Sequence, residues 1–270
     1  MKYLFGEWGA IKDKIKGKRL FIFLDFDGTL VPLAPAPDKA VLSPKTKAVL
    51  RKLAGKPALK LAFISGRTVG NLKNKIGLKN VIYSGNHGLE IEGPKINFKP
   101  RVPPGYRRII ERIKNDLERR ISPIEGAFVE DKGLSLSLHF RLINKSLIPL
   151  LKTVFHEAVT AYLARNEIRI KPGKMVFEVR PPVKWDKGKA VLWLLRRQMS
   201  ALKDGAIVPI YIGDDVSDED AFKALKNKGL TIFVGEHKNS CARHYLRDHD
   251  EVSGFLGRIS KGCHERINKS

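Results

Sequence analysis

Cysteine is nearly missing from this sequence, with Cys241 and Cys263 the only two among 270 residues. Neither shows paired metal-ligand spacing. That argues against a disulfide scaffold or a structural zinc and fits a reducing compartment. Long apolar runs are missing as well. No window approaches the roughly 20 residues that cross a bilayer, and residues 1–19 lack the continuous apolar stretch of a signal peptide. The expectation is a cytoplasmic chain with no membrane segment. Internal repeats, a P-loop and the dinucleotide glycine fingerprint are all absent. Acidic residues are scarce, 28 against 51 Lys+Arg, for a net charge of +23. The basic residues are scattered rather than gathered in a tail or interleaved with aromatics. That points to attraction of a small anionic substrate rather than to nucleic acid. Hydrophobic residues make up 43% and charged residues 29%, ample for a folded core.

What is present begins with residues 20–30, Leu-Phe-Ile-Phe-Leu-Asp-Phe-Asp-Gly-Thr-Leu. Five apolar residues in a row suit a strand buried on both faces, as in the middle of a parallel sheet. The run stops at Asp25 and Asp27, where the ligand crevice of an open α/β sheet lies. Before it, Leu4, Phe5, Trp8, Ile11 and Ile15 read as an amphipathic helix. After a loop with Pro32, Pro35 and Pro37, Ser43-Pro44 starts a helix to Ala54, with Ser as N-cap and Pro at its first position. A strand over 59–64 ends in Ser65-Gly66-Arg67. A helix over 68–76, a strand at 81–83, the turn Gly85-Asn86-His87-Gly88 and a hairpin over 89–98 follow. Strands joined by helices imply parallel crossovers.

Pro100, Pro103, Pro104 and Gly105 then mark a linker, and the texture changes. An amphipathic helix over 106–121 precedes strands at 127–130 and 134–141, where Leu134, Leu136 and Leu138 alternate with Ser135, Ser137 and His139. That alternation marks a half-buried antiparallel strand. A helix over 146–164 and strands at 168–171 and 175–179 complete the segment, and Pro181-Pro182 ends it. The α/β pattern resumes with a helix over 187–200, a strand at 208–212 ending in Gly-Asp-Asp-Val-Ser-Asp-Glu-Asp, a further short helix and a strand at 230–234. A helix over 252–259 closes the pattern, and a tail from 261 without apolar periodicity is expected to be disordered. The expected fold class is therefore α/β. A doubly wound, Rossmann-like parallel-sheet core (1–100 and 183–270) is interrupted by an inserted α+β cap (101–182) that would lie over the strand ends as a lid.

In a parallel sheet the polar clusters at Asp25/Asp27, Ser65/Arg67, 85–88 and Asp214/Asp215/Asp218 share one edge. Carboxylates 4 Å apart repel by about 4 kcal/mol at an effective dielectric of 20. A hard divalent ion such as Mg2+ would offset this. Acids at 218–220 also suit a solvated helix start, but that does not account for Gly213-Asp214-Asp215 set against a buried strand. Lys187 starts a helix, where the dipole disfavours a cation; either an anion lies nearby or it is one solvent lysine beside Lys184 and Lys189. Ser65 could hold phosphate at a helix start, or Ser-Gly-Arg is an ordinary turn. His139 fits packing better than ligation.

These four clusters, in this order, resemble the haloacid dehalogenase superfamily of phosphotransferases. The matches are Asp25, Asp27, Gly28 and Thr29 to its first motif, Ser65 to its second, Lys187 to its third, and Asp214, Asp215 and Asp218 to its fourth. Glu130-Asp131-Lys132, His139-Phe140-Arg141 and Phe177-Glu178-Val179-Arg180-Pro181 are similar to the trehalose-6-phosphate phosphatase branch. The resemblance implies a nucleophile in Asp25, an acid–base group in Asp27 and phosphoryl stabilisers in Ser65 and Lys187. It implies Mg2+ on Asp25, the Asp27 carbonyl and Asp214, with Asp218 in support. It places the sugar hydroxyls on Glu130, Lys132 and Glu178, with Gly66, Arg67, Asn86, His87 and Arg141 as further phosphate or substrate contacts. Asn86 falls at a position that varies in the family, and the resemblance does not account for the high basicity. The partner it implies is a small sugar phosphate, and the chain is expected to be a monomer. Alternatives are another substrate, such as sucrose phosphate or mannosyl-phosphoglycerate, or a non-catalytic sugar-phosphate binder.

Overall fold

The computed structural model describes residues 1–34, 37–173, 175–200, 207–236 and 239–262. Pro35, Cys263 and the tail from 263 onward lie outside the described residues. The chain starts with a two-residue strand, β1 (Lys2–Tyr3), a 3-10 turn and helix α1 (Trp8–Ile15). The amphipathic helix expected from Leu4 is thus split, with Leu4–Glu7 in the 3-10 turn, and Lys2 and Tyr3 pair in parallel with His244 and Tyr245. Next come β2 (Arg19–Leu24), α2 (Pro44–Ala54), β3 (Leu59–Ile64), α3 (Val69–Ile76), β4 (Ile82–Gly85) and the hairpin β5 (Glu90–Gly93) and β6 (Ile96–Phe98). Ser43 caps α2 by accepting from the Thr46 N–H, with Pro44 at its first position.

The insert contains α4 (Tyr106–Ile121), β7 (Phe128–Asp131), β8 (Leu136–His139), α5 (Ile148–Ala164), β9 (Arg169–Gly173) and β10 (Val176–Arg180). The returning half contributes α6 (Lys187–Ser200), β11 (Ile207–Gly213), α7 (Glu219–Leu225), β12 (Leu230–Val234), β13 (His244–Leu246) and α8 (His249–Gly262). Helix α8 is longer than its apolar pattern indicates. Asp250 and Glu251 favour its first turn, and Lys261, read from sequence as tail, lies in its last. The chain divides into two compact units, 1–98 with 185–270, and 99–184.

Among the described residues of the first unit, nine strands run in the order β1-β13-β12-β11-β2-β3-β4-β5-β6, parallel as far as β4 and antiparallel from β4 to β6. Strand β2 has every residue after Arg19 buried, and its two faces feed separate cores. Leu20, Ile22 and Leu24 join α1, α2, α3 and α8. Phe21 and Phe23 join α6 and α7 on the other side. This is the doubly wound α/β arrangement. From β2 the chain turns to β3 on one side, and it later returns through β11 on the other. A ligand crevice forms at such a switch point.

The second unit is a four-stranded antiparallel sheet, β7-β8-β10-β9, with α4 and α5. Leu136, Leu138 and Val179 pack with Ile110, Ile113, Leu117, Leu151 and Phe155 from the two helices. Because side chains alternate along a strand, Glu130, Ser137 and Glu178, which are cross-strand partners, share the opposite face. Among the described residues no helix is long and apolar enough to cross a membrane.

Candidate active site

Strand register sets the first unit's site. Ile212 on β11 lies opposite Leu24 on β2, and the Asp25 N–H donates to the Ile212 carbonyl at 3.0 Å. The two chain ends therefore leave the sheet together. Asp25 and Asp214 are each 5% exposed and Asp218 is fully buried. One carboxylate oxygen from each of the three lies within 4.8 Å of the others. Gly28 lets the backbone close in on them. Its φ is 84°, and a Cβ there would fall 2.1 Å from Asp214 Oδ2. The Thr29 hydroxyl donates to Asp214 Oδ1 at 3.0 Å.

The first residue of α6, Lys187, enters this acidic group. It is 2% exposed, and its Nζ donates to Asp25 Oδ1 at 2.8 Å and to Asp218 Oδ1 at 2.7 Å. Burial alone would lower the pKa of its ammonium group. Attraction to Asp218 and Asp25, with both hydrogen bonds, outweighs this and holds the pKa above the usual lysine range. Asp218 is opposed by burial too, but the Lys187 charge and hydrogen bonds from Lys187, Tyr211 and the Asp215 backbone bring it below the usual carboxylate range. Its Oδ2 accepts the N–H groups of Asp214 and Asp215 at 3.1 and 3.0 Å, so it also fixes the turn that carries Asp214. Asp25 goes the other way. Burial pushes it well above the usual range, Lys187 offsets this only in part, and Asp218 and Asp214 add to the rise.

Sequence reasoning missed Tyr211. Its side chain is buried on β11, its hydroxyl donates to Asp218 Oδ1 at 2.6 Å, and burial and the Asp218 charge push its own pKa well up. The available signal was its position two residues before Gly213 on a strand ending in the acidic cluster. Among the described residues three buried carboxylates, Asp25, Asp214 and Asp218, meet one buried ammonium, Lys187. The group's donors are oxygens, which suits a hard divalent cation.

The neighbouring strand ends are tied to each other. Ser65 (2% exposed) directly follows β3, and its hydroxyl accepts from the Arg67 N–H at 3.2 Å. The Asn86 N–H donates to the Arg67 carbonyl and the His87 N–H to the Ser65 carbonyl, at 2.8 and 2.9 Å. Asn86 is fully buried, and its side chain donates to Glu90. A Cβ on Gly66 would sit 2.5 Å from His87 Nε2, so the imidazole lies against that loop. Asn86 and His87 both have left-handed backbones, φ 48° and 55°, a strain that tends to collect at functional sites. Arg67 was expected among the phosphate contacts, yet its guanidinium is directed to Asp27, with bonds of 2.7 and 2.6 Å.

The second unit holds a polar cluster of its own. Glu178 is 4% exposed, accepts from Arg180 Nε at 2.6 Å and from the Ser135 hydroxyl at 3.2 Å, and has Lys132 Nζ at 3.6 Å. Lys132 lies 3.8 Å from Glu130, which also meets His139 Nε2 at 2.8 Å. His139 stacks on Phe128, with centroids 4.6 Å apart. Arg141 is exposed, two residues past β8.

A family model described as trehalose-phosphatase matches residues 23–249. Trehalose-phosphate phosphatase B of Arabidopsis thaliana is 34% identical over 263 residues, covering 92% of this chain and 68% of that protein. Trehalose 6-phosphate phosphatase RA3 of Zea mays is 33% identical over 261 residues, covering 91% and 71%. Among solved structures, the C-terminal domain of C. albicans trehalose-6-phosphate phosphatase superposes with a TM-score of 0.81 at 24% identity, over 96% of this chain and 98% of that one. A haloacid dehalogenase-like hydrolase from Bacteroides thetaiotaomicron gives 0.63 at 16% identity, over 90% and 100%. At those identities the two structures establish the fold.

Proposed function

The chain belongs to the trehalose-phosphatase family, phosphoric monoester hydrolases on the haloacid dehalogenase fold, and from there we propose that it hydrolyses trehalose 6-phosphate to trehalose and phosphate through an aspartyl-phosphate on Asp25. The observation that carries the reading is the buried meeting of Asp25, Asp214 and Asp218 with Lys187 at the switch between β2 and β11.

Lys187 holds one oxygen of Asp25, which orients the carboxylate and keeps a positive charge beside the phosphoryl oxygens. That preorganised charge acts where negative charge gathers during transfer. Asp25 attacks phosphorus, the bond from phosphorus to the sugar oxygen breaks, and Asp27 gives that oxygen its proton. Asp27 then takes a proton from the water that attacks the phosphoryl group, and Asp25 departs as a carboxylate. The proton gained in the second step is the one given in the next cycle. Ser65 steadies phosphate by its hydroxyl, and Asp218 keeps Lys187 and the Asp214 turn in place.

The oxygen donors fit Mg2+, which Asp25, the Asp27 carbonyl and Asp214 would hold. When bound, it supplies the positive charge that the three acids lack and draws electron density from the phosphoryl oxygens. In the second unit, which takes the part of a specificity cap, Glu130, Lys132 and Glu178 contact the sugar hydroxyls. A reducing cytoplasm belongs to the same proposal, supported by the near absence of cysteine. Phosphate release across a panel including trehalose 6-phosphate, sucrose 6-phosphate and glucose 6-phosphate, with and without a chelator, tests it. Trehalose 6-phosphate should be the best substrate, and chelation should stop turnover. A flat panel, or turnover that survives chelation, would sink it.

A further inference from the structure

Arg67 is held on every side by protein. Its side chain is 9% exposed. Nε donates to Asp27 Oδ2 at 2.7 Å and Nη2 to Asp27 Oδ1 at 2.6 Å, the parallel fork that a guanidinium makes and an ammonium cannot. Nη1 donates to Asn71 Oδ1 at 3.0 Å, and the guanidinium carbon stands 5.3 Å from the centroid of the Phe26 ring. Both supports are rigid. Phe26 is fully buried, and Asn71 sits in the first turn of α3, where its own N–H is capped by the Thr68 hydroxyl. The Arg67 backbone is fixed as well, by Ser65 on one side and Asn86 on the other.

Asp27 has no such anchorage of its own. It lies beyond the end of β2, in a single bridge to Val31, with its side chain 32% exposed. Among the described residues the carboxylate bonds recorded for it are those to Arg67. A group that must meet first the leaving sugar oxygen and then a water needs its position set to a fraction of an ångström.

We propose that Arg67 is the positioning residue of Asp27: anchored on Asn71 and Phe26, its guanidinium fork aims the Asp27 carboxylate at the reacting oxygens and does not bind the substrate phosphate. This rests on the reading of Asp27 as the acid–base group. It separates two residues that both look like phosphate-site residues in sequence, Ser65 as ligand and Arg67 as support.

Steady-state kinetics on trehalose 6-phosphate with saturating Mg2+ test the assignment. Arg67→Ala and Arg67→Lys should each lower kcat by about 10- to 100-fold, part of what a general acid–base group supplies, with KM within about threefold. In an Asp27→Asn background, adding Arg67→Ala should cost less than about twofold more, because residues acting through one another are not additive. Guanidinium at about 20 mM should restore part of the kcat of Arg67→Ala, ammonium should not, and neither should help Asp27→Asn/Arg67→Ala. If Arg67→Ala does not fold, Arg67→Lys carries the test through its kcat and KM. A raised KM at constant kcat, or losses that multiply in the double variant, overturns the assignment. A wild-type protein that releases no phosphate from trehalose 6-phosphate would instead sink the functional reading. An active wild type with an inert Asp27→Asn and KM-only effects at Arg67 would sink this assignment alone.

Discussion

Two polar clusters, one in each unit, look alike in composition and differ in charge balance. In the core unit, Asp25, Asp214 and Asp218 face one buried cation, Lys187. In the inserted unit, Glu130 and Glu178 face Lys132 and Arg180. Among the described residues the first sets three acids against one ammonium, and burial, with Asp218 and Asp214 adding to it, holds the Asp25 pKa well above the usual range. Among the described residues the second sets two acids against two bases and offers directed donors and acceptors. An unbalanced acidic site invites a divalent cation and the phosphate it carries. A balanced one suits neutral hydroxyls, whose recognition rests on matched hydrogen bonds.

The largest effect that would separate the two is at the nucleophile. Asp25→Asn should lower turnover of every substrate by about 10³-fold or more while the protein stays folded, as single knockouts of a nucleophile do. Substantial residual turnover, measured by phosphate release, would remove the covalent route. Next is the cap. Glu178→Gln should cut kcat/KM for trehalose 6-phosphate by about 10²-fold, since a site built for hydroxyls loses much when a buried partner is altered, and leave 4-nitrophenyl phosphate within about threefold. An equal fall on both substrates would mean that the balanced cluster is not a sugar reader.

Smaller again is Tyr211→Phe. It removes one neutral donor from Asp218, so kcat should fall about 3- to 10-fold through a less well-held Lys187, only part of the roughly 1.5–3 kcal/mol that a hydrogen bond to a charged group is worth, because the effect reaches the reacting atoms indirectly. The smallest effect is on stability. Asp25 has a higher pKa in the folded chain than in the unfolded one. Its contribution therefore favours the fold at low pH and is lost as pH rises from the ordinary aspartate range through the raised folded value. In metal-free protein at pH 7, Asp25→Asn should raise the thermal midpoint by roughly 2–4 °C per kcal/mol of relieved burial and repulsion. The gain should shrink as pH falls toward about 4. A lowered midpoint at pH 7 would reverse the sign of the charge argument.

Much of the core was legible because local pattern and tertiary role coincide. The apolar run at 20–24 is a strand buried on both faces, and the helices over 44–54, 106–121 and 187–200 fall within their sequence-predicted bounds. Strands β1 and β13 were not legible. Two and three residues long, they carry no period and exist because a sheet edge was there to pair with. The hairpin expected over 89–98 is present, and what its sequence does not show is that β5 and β6 continue the large sheet in antiparallel, with β6 at its edge. Within the site, motif spacing marks the acids at the strand ends. It does not show that Arg67 meets Asp27 across 40 residues, or that Tyr211 stands behind Asp218. Those contacts follow from strand order and register.

The central proposal is that the core cluster binds one divalent cation. The direct measurement is the thermal midpoint of metal-stripped protein as Mg2+ is added, for the wild type and for Asp214→Asn. A ligand of the folded state alone raises stability with the logarithm of its concentration. The wild-type midpoint should therefore climb steadily while that of Asp214→Asn stays nearly flat. A flat wild-type curve, or the same climb in both proteins, would contradict the account.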